Sequence, residues 1–380
     1  MRQRISMNED WQFALHRGFE PMEKEDAAKL QYTTVTLPHD WQISSPFRKD
    51  VQQGASQGYF DRWGIGWYRK EFWLDFESVC GQDWKKMIYF LCFDGIYENS
   101  TIWVNDQWAG GRKYGYSSFR LDISSFLHNG NNRILVKVDN TAVPADRWYS
   151  GAGIYRNVYL EILPKKHLEK EKIQVLSVVE KEKAELEIHT GTELPVRAVL
   201  EPENAESHSY FGEGNGVVHL TIPDPNLWSA ERPTLYTLRV QLLEDGVMDE
   251  ISMKIGLRSE KLSAEKGLFI NGVPVKLKGV CLHQEAGSFG TAVQPEIWRE
   301  RLTRLKETGC NALRLAHHLY MPEILELCDE LGFYVYEECV DKWTGGAYGR
   351  YHEKNGSAIL ILWCCGTATI PVCFSGGGGQ

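Results

Sequence analysis

The chain has 380 residues, enough for two or three domains, and its 43% hydrophobic and 24% charged residues are a globular balance. A formal net charge of −9 gives no electrostatic basis for binding nucleic acid or an anionic membrane. No apolar run reaches transmembrane length, and the opening MRQRISMNEDWQFALH lacks the apolar core of a signal peptide, so a cytoplasmic location is expected. Aromatic residues make 12%, with 13 Trp and 17 Tyr; such residues fill sandwich cores or stack on ring-shaped ligands. The nine cysteines show no C-x-x-C spacing, and Cys80, Cys92, Cys281, Cys310, Cys328 and Cys339 sit inside apolar patterns, as reduced, buried thiols do.

Residues 1–164 read as all-β. TIWVNDQWAGG, FRLDIS, NRILVKVDN and RNVYLEI alternate apolar and polar residues with a period of two. VNDQWAGG predicts a hairpin and HNGNNR a turn, and burying so many short strands predicts a sandwich. A charged connector, ILPKKHLEKEKIQV, leads into a second β stretch over 165–261. Its strands AELEIHTG, VVHLTIP, LYTLRVQLLE and EISMKIGLRS, over about 95 residues, fit an immunoglobulin-like sandwich without the Cys–Trp–Cys pattern of antibody domains.

From 262 the period changes. VPVKLKGVCLH predicts a strand. QPEIWRERLTRLKETG predicts a helix, with Ile297, Leu302 and Leu305 at helical spacing and Gly309 as its stop. CNALRLAHH predicts a strand, MPEILELCDELG a helix opened by Pro322, and FYVYEECV a third strand. Strand, helix, strand, helix, strand is a parallel α/β order, whose sites form at the C-terminal strand ends. Those ends carry His283 and Glu285, then Arg314, His317 and His318, then Glu337, Glu338 and Asp341. A single strand-end histidine is more often a satisfied structural group. Two histidines and a carboxylate also suit a metal. Glu337 and Glu338 are adjacent, so on a strand they face opposite ways and make a poor acid–nucleophile pair.

Several stretches, in order, resemble glycoside hydrolase family 2, the β-galactosidase and β-glucuronidase group. They are LPHDW at 37–41, GIGWYRKEF at 64–72, FDGIYENSTIWVN at 93–105 and DRWYSGAGIYRNVYL at 146–160, then PDPNLWSAERPTLYTL at 223–238, GLFINGVPVKLKGVCLH at 267–283 and NALRLAHH at 311–318. The resemblance implies a jelly-roll sugar-binding domain over 1–164, an immunoglobulin-like sandwich over 165–261 and the first part of a (β/α)8 TIM barrel over 262–354. It implies a retaining glycosidase, in which one glutamic acid protonates the leaving oxygen and a second attacks the anomeric carbon. His283, Arg314 and His317 would line the sugar pocket, with Asp146 reaching in from the jelly roll to a sugar hydroxyl. The chain departs from the family pattern at Leu315, at His318 and Leu319, where an aromatic and a proline are usual, and in EECVDKW, which lacks the Glu-x-His that holds magnesium in some relatives. No metal or other cofactor is therefore expected. LKGVCLHQEAGSFG most resembles the β-galactosidase branch, which makes a β-linked galactoside the expected ligand and β-glucuronides and β-mannosides the alternatives.

The stretch after Lys354 reads differently. In ILILWCCGTATIPVCFSGGGGQ, reading the last base of each codon with the first two of the next forces Val at Trp363–Cys364 and Leu at Cys364–Cys365, and permits VLRDRNHPSVFLW overall. That resembles the block preceding the family's acid/base glutamate. Residues 355–380 are thus expected to be an out-of-frame tail, the alternative being a genuine apolar fourth strand. No Glu follows Glu353, so neither catalytic carboxylate is expected in this chain, which would be inactive or act as a carbohydrate-binding fragment. Three parallel strands cannot close a barrel, which predicts a poorly ordered C-terminal third behind two stable sandwiches.

Overall fold

The computed structural model of the chain describes residues 2–341, apart from 19–21, 52–53, 181, 204–207 and 340. The expected out-of-frame stretch at 355–380, and the 342–354 end of the expected barrel segment, lie outside the described residues.

Alternation builds the first sandwich. Along Gly130–Asp139, Asn132, Ile134, Val136 and Val138 are buried while Asn131 and Arg133 are exposed. This strand lies in a six-stranded antiparallel sheet ordered Thr33–Val35, Trp11–His16, Ile65–Leu74, Gly130–Asp139, Ser100–Val104, Gln107–Gly110. A four-stranded antiparallel sheet, Gln3–Ser6, Val158–Pro164, Met87–Phe93, Phe119–Asp122, faces it. Trp11, Tyr68, Leu91, Phe93, Ile102 and Val136 join in one core between the sheets. Each fully buried side chain of this kind contributes about 1.5–3 kcal/mol. The hairpin expected from VNDQWAGG is present: Val104 pairs with Gln107, and Asn105 and Asp106 both take positive φ (46° and 66°), as a two-residue primed turn requires.

The second sandwich sets Gln174–Val179, Lys183–His189 and Val217–Pro223 against Tyr210–Asn215, Pro195–Pro202, Tyr236–Leu243 and Val247–Ile255. Its core holds Ile188, Val196, Leu200, Leu238 and Val240.

Beyond it the three expected parallel strands form one sheet, Gly279–Leu282, Ala312–Leu315, Tyr334–Glu337. The helices Pro295–Glu307 and Pro322–Leu331 cover it. Both begin on proline, whose missing N–H costs nothing in a first turn. They end before Gly309 and at Gly332, each in the left-handed region (φ 86° and 78°).

Three expectations change. VPVKLKGVCLH is not one strand: Val273–Val275 turns back on Gly267–Ile270 through Asn271–Gly272, and the parallel strand starts only at Gly279. Asn311 fixes the break, its Oδ1 accepting from Lys278 N at 2.7 Å and its Nδ2 donating to Lys276 O at 3.1 Å. Cys281 is exposed rather than buried, because its strand lies at the edge of the sheet among the described residues. Thirdly, the described C-terminal part is packed, not loose. Trp298, Leu302, Ile324, Cys328 and Phe333 form a core with Trp228, Ala230 and Leu235 from the second-sandwich segment. Trp228 Nε1 donates to Asp329 O at 2.9 Å, and Lys306 Nζ to Ala230 O at 2.7 Å. The sandwiches cover apolar surface that strand counting leaves bare.

Candidate functional site

The strand ends meet under a segment of the first sandwich. His283 follows Gly279–Leu282, and His317 follows Ala312–Leu315, with 5.3 Å between their ring centroids. Glu338 follows Tyr334–Glu337 and joins Arg314 to His317: Oε1 accepts from Arg314 Nε at 2.8 Å, and Oε2 lies 3.0 Å from His317 Nδ1. Its neighbour Glu337 points the other way, buried, with Oε1 accepting from Tyr320 N at 3.1 Å. The opposite facing expected of this pair is what separates them.

Trp148 lies over the histidines, its ring centroid 6.0 Å from His283 and 5.2 Å from His317. Sequence reasoning did not single it out, although it stands in the quoted DRWYSGAGIYRNVYL. The available signal was an aromatic two residues after Asp146. Trp148 Nε1 donates to Tyr116 Oη at 3.0 Å, and Tyr116 and Tyr97 each donate to Asp146 Oδ2 at 2.7 Å. Asp146 is 4% exposed and held by the two tyrosines, while His283 and His317 meet directly and Arg314 joins His317 through Glu338. Arg147 reaches across to Asp341 at 2.6 Å, and Asp341 is 3.6 Å from His317 Nδ1.

His318 belongs to the packing. Its ring stacks on Tyr116 at 3.7 Å and 7°, and on Tyr320 at 5.0 Å and 13°. Burial holds it well below the usual histidine range, so it is a neutral flat ring. This explains the departure noted at this position: the histidine fills an aromatic's place. His283 is also held below its ordinary value, by burial first and then by His317 and Arg314. A neutral imidazole can both donate to and accept from a hydroxyl.

Buried clamps fix the segment over the strand ends. Asp40, from LPHDW, takes Gln42 N and Ala152 N on Oδ1 and Tyr149 Oη, Thr291 N and Thr291 Oγ1 on Oδ2, all at 2.8–3.1 Å. Gly290, at φ 56°, leaves room there: a Cβ would stand 2.3 Å from Asp40 Oδ2. Arg156 donates to Asp94 O, Tyr116 O, Leu319 O and Gln284 Oε1, tying the sandwich to two strand-end loops.

Beside His283 a cleft of about 470 Å³ opens between Phe60, Arg147, Trp148, Tyr149 and Glu285. The arrangement offers the edge of a buried indole, Trp148 being 6% exposed, and several hydroxyl partners. Among the described residues no group of three or more His, Cys, Asp or Glu is placed to hold a metal ion. No helix among them is long and apolar enough to cross a membrane.

Three family models match the chain: "Glycosyl hydrolases family 2, sugar binding domain" over residues 5–164, "Glycosyl hydrolases family 2" over 161–258, and "Glycosyl hydrolases family 2, TIM barrel domain" over 262–354. A β-galactosidase of Bacteroides ovatus is 36% identical over 389 residues, covering 95% of this chain and 45% of the relative. A putative β-glucuronidase of Formosa agariphila is 36% identical over 360 residues, covering 92% of this chain and 34% of the relative. Among solved structures, a family 2 glycosyl hydrolase of Bacteroides cellulosilyticus superposes with a TM-score of 0.86 at 31% identity, over 98% of this chain and 51% of that one. A β-glycosidase of Bacteroides vulgatus gives 0.85 at 29% identity, over 98% and 49%. The chain thus spans less than half the length of these two curated relatives. With three family models matching in sequence order and the same three-part fold in solved relatives, the chain belongs to glycosyl hydrolase family 2.

Proposed function

We propose that residues 1–164, 165–261 and 262–354 are the sugar-binding sandwich, the immunoglobulin-like sandwich and the opening of the barrel of a retaining β-glycosidase that acts on terminal β-D-galactosides. Asp146, His283, Arg314 and His317 line its sugar pocket. The observation that carries this reading is Trp148, brought from the first sandwich to within 5.2–6.0 Å of two strand-end histidines. Trp148 is 6% exposed, so it closes one side of the pocket with its edge, and the hydroxyls of a pyranose suit the neutral imidazoles and a held carboxylate. Arg314 and Glu338 complete a polar wall.

The 380-residue chain binds sugar without cleaving it. A retaining mechanism needs a protonated acid facing a second, nucleophilic carboxylate. Among the described residues, Glu338 is paired with Arg314 and Asp341 with Arg147, so neither is set for these roles. A second reading, a β-glucuronidase, has its support in relatives bearing that name. The test is calorimetric titration of the purified chain with methyl β-D-galactoside and methyl β-D-glucuronide, beside an assay of aryl β-galactoside hydrolysis. Tighter galactoside binding without turnover is expected. Tighter glucuronide binding would favour the second reading, and turnover by host-free protein would refute the binding-only role.

A further inference from the structure

The outer face of the six-stranded sheet carries two tryptophans that the sugar pocket does not use. Trp73 is 75% exposed and Trp108 68%, whereas indoles are on average well buried. Trp108 pairs across the edge hairpin with Trp103, Trp103 pairs with Leu135, and Leu135 with Arg69, while Trp73 pairs with Asn131. Opposed residues share a face, as do residues two apart along a strand, so both indoles stand on the side away from the sandwich core. The short helix Lys24–Ala27 and the residues after it cover one half of that side, where Ala27, Leu30 and Tyr32 cluster with Trp67, Trp103 and Leu135. The other half, running from that row to Trp73, has no cover among the described residues, and Glu71, Asn131 and Arg133 are exposed on it.

We infer that this face docks an extended, neutral glycan chain, with Trp73 and Trp108 as its two ring platforms and the polar residues between them meeting sugar hydroxyls. The Trp73 ring lies against backbone, since a Cβ at Gly130 would meet it at 3.8 Å. Three strand spacings of about 4.8 Å and four residues of about 3.3 Å put the two indoles about 20 Å apart, a span for several linked pyranoses. An indole suits the C–H face of a pyranose, and the groups between suit its hydroxyls. Asn131 Nδ2 donates to Glu71 Oε2 at 3.3 Å, Arg133 to Asp106 Oδ1 at 2.5 Å and Lys24 Nζ to Asp106 O at 3.1 Å. Two acids thus offset two bases, which leaves no field to attract an anionic polymer. Charged groups between the indoles also disfavour a second copy of the chain, because interface cores are depleted of them. The face is separate from the sugar pocket. Leu74 pairs with Gly130 at its end of the strands, whereas Asp139, at the other end, leads to Asn140, which donates to the O of Tyr97, the residue that holds Asp146. The inference therefore holds whichever terminal sugar the pocket takes.

The experiment is native electrophoresis of the 380-residue chain through gels holding soluble β-galactan, β-glucan, β-mannan or polygalacturonate. Retardation by at least one neutral polysaccharide, and less by polygalacturonate, is expected. Trp73→Ala and Trp108→Ala should each weaken that retardation about tenfold, the scale of one aromatic platform lost, and the double variant should migrate as in a plain gel. Trp73→Phe should keep most of it. Both side chains are exposed, so the variants should melt as wild type does, and their titration with methyl β-D-galactoside should be unchanged. Retardation by none of the neutral polysaccharides, or equal retardation of wild type and double variant, overturns the inference. Stronger retardation by polygalacturonate replaces the neutral glycan with an anionic one, and a wild-type dimer in sedimentation that the double variant loses assigns the face to a second copy; either result overturns it. Failure to bind methyl β-D-galactoside with retardation intact overturns the galactoside reading alone.

Discussion

Replacing Asp40 by Asn should loosen the joint between the first sandwich and the strand-end loops. Five donors converge on this buried carboxylate: Gln42 N, Ala152 N, Tyr149 Oη, Thr291 N and Thr291 Oγ1. Burial pushes its carboxyl up, while the donors around it favour the charged form. An asparagine keeping its oxygen at the Oδ1 position turns its NH2 toward the other three. The hydroxyls can rotate, but the Thr291 N–H cannot. One buried donor is then left unmatched, at about 1–3 kcal/mol, and the remaining bonds lose their charge at about 1 kcal/mol together or more. A total loss of about 2–4 kcal/mol follows, read as a lower urea midpoint by tryptophan fluorescence. Amide exchange at Thr291 and Ala152 should quicken. A loss below about 1 kcal/mol with slow exchange at Thr291 would refute the clamp.

Other consequences concern the packing below the site. Burial pushes Glu337 up to about 7, above its unfolded value, so its contribution is fully present below about 4.5 and is lost as pH rises through 7. Glu337→Gln keeps an acceptor for Tyr320 N, so it should match wild type near pH 4 and exceed it above pH 7 by up to a few kcal/mol; equal pH profiles would contradict this. His318→Phe should change stability by about 1 kcal/mol or less, since the ring stacks as a neutral aromatic, whereas His318→Ala should cost about 2–4 kcal/mol; equal costs in thermal melts would contradict the stacking role. Trp298→Ala should cost about 3–5 kcal/mol, because the fully buried indole fills the C-terminal core; no change in the melt would support the loose third expected from strand counting.

What the sequence disclosed, and what it hid, divides by distance along the chain. Alternation over Gly130–Asp139 and the Asn105–Asp106 turn are local, and they appear as read. The helix stops at Gly309 and Gly332 are local too. Asn271–Gly272 is an equally local turn, but the apolar residues on both sides of it masked the break at Lys276–Lys278, which depends on Asn311, 33 residues from Lys278. The strand-end residues His283, Arg314 and His317 were legible because parallel α/β order fixes where strands end. Trp148 was not, since its place over them depends on contacts such as Asp40–Thr291, 251 residues apart, and Tyr114–Cys339, 225 apart. His318 looked like a candidate ligand and is a stacked ring, because only the fold brings Tyr116 against it.

The central claim is that Trp148 and the two strand-end histidines form a single sugar site across two units of the fold. Titration of the 380-residue chain with methyl β-D-galactoside, followed by NMR of the Trp148 indole N–H and the His283 and His317 ring protons, tests it directly. The account predicts that all three sets of signals shift together and saturate with one dissociation constant. Shifts absent from all three, or saturating with different constants at Trp148 and at the histidines, would contradict it.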